Sequence, residues 1–307
     1  MARLLTRAGL ALAIVVILGA DVFVLTQRNV TTAVSLDQTL KRFRAPTGGV
    51  PGPRADLPGE GTPALAGSVP PTSLDAALPA STRLPGRAGD APSGLVTTQG
   101  SSPFSAPPEG VYTYATSGYE QISLAGARHD YPSQSFATVR HGSGCQWGLE
   151  HRVIQEHIET HLYCSEPDAL AFLQETDQVT FFGQANTRTY RCDPPEITAH
   201  LGDGVGSSRR FTCRSDGGGQ LSATVSYLGR DRVAIDGVAV SGLHVVVESQ
   251  ISGDVHGSSR IELWLHPQTG LALREGIYVK SRSPALGTTV DYQEKASYAL
   301  EHLVPAT

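Results

Sequence analysis

Two hydrophobic patterns divide the chain. Residues 8–25, from Ala8 to Leu25, form an 18-residue apolar run broken only by Asp21 and preceded by Arg3 and Arg7. As a helix that length just crosses the hydrocarbon core of a bilayer. From Glu109 onward the period changes to two, the mark of strands with one buried face. Val111-Tyr112-Thr113-Tyr114 alternates small and aromatic residues, and Leu221 to Tyr227 alternates apolar and hydroxyl-bearing ones. Leu243, Val245, Val247 and Ser249 share one face against His244, Val246, Glu248 and Gln250. Turn sequences such as Asp216-Gly217-Gly218-Gly219, Asp236-Gly237 and His266-Pro267-Gln268-Thr269-Gly270 separate the runs, and strands joined so closely are antiparallel neighbours. Only residues 167–176 read as a helical turn or two, with Pro167 where a helix can begin. The predicted fold is mainly β: a large curved antiparallel sheet, as a half-barrel, sandwich or barrel, after an N-terminal transmembrane helix and a disordered linker.

The apolar run continues through Val22, Phe23, Val24 and Leu25 past the poor cleavage site at Leu18-Gly19-Ala20, so an uncleaved signal anchor is expected rather than a removed leader. Arg3, Arg7 and the α-amine outweigh Arg28 nearby, which keeps the N-terminus inside and the body outside. The expected organisation is a cytoplasmic N-terminus at 1–7, the transmembrane anchor at 8–25, a juxtamembrane segment at 26–44 that could extend the membrane helix, a linker at 45–108, and an extracytoplasmic β-rich domain at 109–307. The expected location is the cell membrane, single-pass.

Composition sharpens this division. Of the 307 residues, 13 of the 20 prolines lie between Ala45 and Pro108, where Phe104 is the single aromatic. Such a stretch buries too little apolar surface to offset the entropy of ordering and is expected to be disordered. Its 64 residues span roughly 45 Å as a coil and about 200 Å fully drawn out, a tether able to carry a domain off the membrane. Residues 109–307 hold 15 basic and 23 acidic side chains, a balance that argues against nucleic acid as a partner. Three Lys against 21 Arg, with abundant Ala and Gly, suggest a GC-rich genome of the actinobacterial kind.

The four cysteines, Cys145, Cys164, Cys192 and Cys213, all lie in the β-rich body. They allow three pairings. Neighbours in sequence bracket what read as hairpins, so Cys145–Cys164 and Cys192–Cys213 are the expected bridges. A four-cysteine zinc site would show close Cys-x-x-Cys pairs, which this chain lacks. Disulfides agree with an exported body.

The search for reactive chemistry yields no catalytic constellation. His157-Ile158-Glu159-Thr160-His161 has histidines four apart, but the helical zinc-protease motif needs Glu directly after the first one. As a strand, His151, Gln155, His157, Glu159 and His161 form a face expected to meet solvent, with Ile154, Ile158 and Leu162 buried on the other. Gly142-Ser143-Gly144 does not complete a nucleophile elbow, and Gly202 to Gly206 is a surface loop rather than a dinucleotide loop. Glu156 and Glu159 do not by themselves imply acid–base catalysis. No catalytic, cofactor or metal residue is expected, and no enzyme.

One segment resembles a known class. Trp264-Leu265-His266-Pro267-Gln268-Thr269-Gly270-Leu271-Ala272-Leu273-Arg274 is similar to the Trp-x-x-Pro-x-Thr-Gly-Leu-x-Leu-Arg hairpin of envelope half-barrel proteins of the LolA, LppX and RseB type. The resemblance implies a curved sheet around an apolar cavity and a lipid or lipoprotein ligand. Carriers of that class are soluble or lipid-anchored, and a membrane helix with a tether departs from them. The other reading of the segment is a common hairpin with Trp264 and Leu271 as core residues. Two main functions follow: a non-catalytic, membrane-tethered domain holding an apolar ligand or lipidated partner in a sheet cavity, or an envelope interaction or sensor domain with a closed core that presents an edge or loop to another protein; a third, an enzyme, would need His151, His157, Glu159 and His161 gathered around one metal.

Overall fold

The structure, a computed structural model, describes residues 29, 31–45, 103–285 and 288–307; the expected anchor at 8–25 and nearly all of the linker lie outside the described residues. Thirteen strands follow one another: β1 (Gly110–Ile122), β2 (Arg128–Asp130), β3 (Gln134–His141), β4 (Gln146–Ile154), β5 (His157–Ser165), β6 (Ala169–Phe181), β7 (Gln184–His200), β8 (Ser208–Ser215), β9 (Gln220–Ile235), β10 (Val238–Ser252), β11 (His256–Leu265), β12 (Ala272–Ala285) and β13 (Thr288–Leu300). From β3 to β13 each pairs with its neighbours in sequence, and β1 pairs β3 on one side and β13 on the other. The expected large antiparallel sheet is present, and its curvature continues until β1 and β13 meet. The result is a closed barrel of twelve strands, with short β2 hydrogen-bonded beside the far half of β1.

Closure follows from strand chemistry. The β1–β13 seam runs over nine pairs, from Tyr114–Leu300 to Ile122–Tyr292. Gly118 sits within it at φ +131°, where any Cβ would strike the carbonyl of Lys295. Only glycine allows the two backbones to approach there. Outward positions carry charge: Glu248 faces Arg260 across the β10–β11 pair at 2.6 Å, and Arg282 meets Asp291 across β12–β13 at 2.7 Å. Such cross-strand ion pairs suit an aqueous outer wall, unlike the apolar band of an outer-membrane barrel.

Two expectations change. Residues 169–176 are strand, not helix, because Ala169–Phe181 is paired on both sides, by β5 and by β7. Pairing outweighs a local helical tendency over so few residues. Pro167 lies in the β5–β6 turn. Residues 31–35 are not helical, so within them no membrane helix is extended. A separate helix, α1 (Leu36–Arg44), starts at Ser35 with a reciprocal Ser35–Gln38 capping box. Its Leu40 and Phe43, with Val34, pack on Val111 and Phe136 of the outer barrel wall. The body also begins before residue 109: Phe104 is 5% exposed, and its N–H donates to the Pro167 carbonyl at 3.1 Å.

Candidate functional site

The lumen is filled at one end and hollow at the other. At the closed end, where the β3–β4, β5–β6 and β11–β12 turns lie, Trp147, Tyr112, Tyr298, Leu170 and Leu273 are fully buried. Residues 103–108 cross this end, with Ser105 N–H donating to Gln268 O at 2.8 Å. Gly270, in the left-handed region at φ +69°, lets the β11–β12 turn press against Leu170. Toward the other end the side chains no longer meet. They leave a cavity of about 1070 Å³, lined by apolar residues such as Phe172, Phe181, Val247, Ile251, Leu263 and Ile277. Eight-stranded barrels are just filled by their own side chains, whereas sixteen strands leave a channel; twelve strands fall between, with room for a ligand.

One wall of this cavity is ionisable. His151, Glu159 and His161 line the lumen with Glu175, Asp177, Glu275 and Glu294, and His157 stands just behind them, 1% exposed. The alternation along β5 therefore separates the two faces as predicted, but the polar face is the barrel interior rather than the solvent side. Period two reports that faces differ, and a hollow barrel allows the wet face to point inward.

The wall is held by a hydrogen-bonded chain. Glu120, 0% exposed, accepts from His129 Nδ1 at 2.6 Å and faces His157 Nδ1 at 2.9 Å, which donates to the Tyr131 hydroxyl. Tyr292 donates to Glu120 at 3.1 Å, and Tyr131 donates to Glu294 at 2.8 Å. Burial would push Glu120 up, but the His157 charge and the two imidazole N–H groups hold it at about 2. Burial works against the charged form of His157 as well, yet the carboxylates of Glu120 and Glu294 raise it well above the ordinary value. Glu159 is buried, yet the His157 charge 3.3 Å away holds it below its ordinary value. Glu175 and Glu275 have no such cation beside them, and burial followed by neighbouring carboxylates pushes each up to about 8. Burial lowers His151 to about 4, and its Nε2 lies 2.8 Å from Ser135 Oγ.

The disulfides form as expected, Cys145–Cys164 and Cys192–Cys213. Both lie outside the ionisable wall. Glu156 caps the Thr32 N–H at 2.9 Å and does not join Glu159. Gly142 to Gly144 and Gly202 to Gly206 are inter-strand loops. The strand–turn–strand at 261–274 is present, but its turn lies at the closed end. Leu271 is buried, while Trp264 is on the outer wall, stacked on His244 at 4.5 Å with Arg274 over its ring. Glu120, His129, Asp177 and Glu294 escaped the sequence reading. Glu294 had a legible mark: it interrupts the row Val290, Tyr292, Ala296, Tyr298, Leu300, which is otherwise apolar or aromatic.

No family model and no curated protein matches the chain. Among solved structures it is similar to the crystal structure of a hypothetical lipoprotein, YmcC, from Escherichia coli K12, at 15% identity and a TM-score of 0.29, over 64% of this chain and 85% of that one. At that score the likeness carries no argument about ligand or role.

Proposed function

We propose that the protein is a non-catalytic binding domain that holds an apolar ligand of the lipid class in its barrel, with the open end toward the membrane that residues 8–25 enter. The observation that carries this reading is the position of the cavity relative to the start of the described chain. Asn29 accepts from His129 Nε2 at 3.1 Å and donates to the Arg128 carbonyl at 3.4 Å, and Thr32 O accepts from Gln155 N–H in the β4–β5 turn. These contacts are at the open end. Leu25, the last residue of the apolar run, is four residues from Asn29 and so within about 14 Å of it. Residues 46–102, between α1 and residue 103, lie outside the described residues. A cavity largely apolar and too large for its own side chains to fill is what a lipid site requires. Closure leaves little free edge for the alternative, an envelope protein docking by strand addition: short β2 and the stretch where β7 and β8 part beyond Cys192–Cys213.

The test is native mass spectrometry of residues 29–307, exported through a cleavable leader and compared before and after organic extraction. The expected result is extra mass that extraction removes and that matches a lipid. Ile277→Trp, which intrudes on the lumen, is expected to remove that mass while leaving the β circular-dichroism spectrum in place. A bare chain four protons lighter than its reduced mass, with both disulfides formed and nothing extractable, would overturn the reading.

A further inference from the structure

The ionisable wall carries something an apolar ligand does not need. The geometry points to a binding site for one divalent first-row transition-metal ion, ligated by His157 Nε2 and the carboxylates of Glu159 and Asp177, with Glu294 beside them. His157 is 1% exposed, and among the described residues its Nε2 has no hydrogen-bond partner; nor has the buried Oδ1 of Asp177. Buried polar atoms are rarely left in this state. The two atoms face each other at 3.3 Å, and Nε2 is also 3.3 Å from Glu159 Oε1. Tetrahedral bonds of about 2.0–2.1 Å place neighbouring ligand atoms about 3.3–3.4 Å apart, so both distances match edges of an occupied tetrahedron. The ligand atoms of His157, Glu159 and Glu294 lie within 4.8 Å of one another.

The surroundings complete the case. Metal-bound imidazoles usually give their other N–H to a carboxylate, which fixes the ring and the tautomer. His157 Nδ1 donates to the Tyr131 hydroxyl at 2.9 Å and lies 2.9 Å from the carboxylate of Glu120, itself clamped by His129 and Tyr292. An entry path exists because Glu159, Asp177 and Glu294 line the cavity. His244 makes an instructive contrast: its Nδ1 is 2.8 Å from Asp231 and its Nε2 2.8 Å from Glu262. With both ring nitrogens engaged, no lone pair remains for a cation. One imidazole nitrogen with two or three carboxylate oxygens suits zinc, iron or manganese rather than a soft cuprous ion. The site does not depend on what fills the rest of the lumen, and its test is separate from lipid extraction.

The experiment titrates ZnCl₂ calorimetrically into tag-free full-length chain, stripped with chelator, in a mild non-ionic detergent. Zinc is the right probe because nitrogen and oxygen sites bind it more tightly than manganese or ferrous ions. One saturable equivalent is expected, with a raised thermal midpoint. Glu159→Gln and Asp177→Asn are expected to weaken it at least about tenfold, and His244→Gln to leave it unchanged. His157→Gln removes a buried charge and can fail to fold, so the wild-type titration and the two cavity-wall variants decide without it. Absence of a saturable equivalent, an affinity unmoved by both cavity-wall variants, or one lost in His244→Gln would overturn the site.

Discussion

Glu120 shows at single-residue scale how the barrel tolerates ions in its interior. Two imidazoles and a phenol surround it, so removing any of them leaves a buried charge short of partners, which is costly. The pH dependence of stability follows from such groups. Glu120, at about 2, and Glu159, also lowered, contribute stability that is present above the ordinary carboxyl value of 4.5 and lost as pH falls toward 2. His151 and His161 are lowered from 6.5, so their neutral native forms disfavour folding progressively as pH falls below that value. Glu175 and Glu275, at about 8, together with Glu294 and His157, are raised. Their contribution is full below the ordinary values and is lost as pH rises through the folded ones. Above 6.5 all of these titrations therefore run the same way. The thermal midpoint, followed by circular dichroism at constant ionic strength, is expected to be highest between pH 4.5 and 6.5 and to fall toward about pH 8.5. Glu275→Gln should flatten that fall. A midpoint that climbs over the alkaline interval would contradict the assignment.

Among the elements, the weakest junction is the one between β7 and β8. It has only three pairs, Tyr190–Ser215, Arg191–Arg214 and Cys192–Cys213. Pro194 and Pro195 follow, and without N–H groups they cannot extend the ladder. The Cys192–Cys213 bridge closes the last pair before the strands part. Its loss in Cys192→Ser/Cys213→Ser is expected to cost about 3 kcal/mol by the loop-closure estimate, and to speed amide exchange in β7 and β8 more than in β4 and β5. Equal acceleration in both regions would show that the bridge acts on the whole unfolded chain and not on this seam. Both pairings were legible because each joins strands adjacent in sequence. The strands themselves were legible from period two, as were the turns from Asp-Gly and Pro-x-Thr-Gly. At Ala169–Phe181 the local pattern misled, since pairing with two neighbours is a long-range fact. The ionisable wall was hidden for a related reason: alternation around His157 separates two faces but carries no sign for inside and outside, and Glu120 and Glu294 meet His157 only once the barrel closes, while Asp177 reaches it from neighbouring β6.

For the whole molecule, the proposed lipid-binding role turns on which end of the barrel faces the membrane. Asn29, residues 31–35 and α1 run along the outer wall from the open end toward Arg140 and Thr307 at the closed end, where Arg140 donates to the Phe43 carbonyl at 2.5 Å and Arg44 to Thr307 O at 2.6 Å. With Leu25 confined to within about 14 Å of Asn29 by covalent geometry, an anchor at 8–25 places the open end near the headgroups and the β9–β10 turn a barrel's length away. Leu124 and Phe182, which line the cavity at its mouth, would then meet the bilayer first, and a lipid could enter without crossing water. This arrangement is measurable with tryptophans placed at the two ends of full-length chain in vesicles containing brominated lipid. Leu124→Trp, at the mouth, is expected to be quenched well beyond the background of Trp147 and Trp264. Val238→Trp, 63% exposed at the opposite end, is expected to add unquenched emission. Quenching of Val238→Trp with Leu124→Trp untouched would invert the barrel, putting the closed end on the membrane and leaving the cavity to fill from the aqueous side.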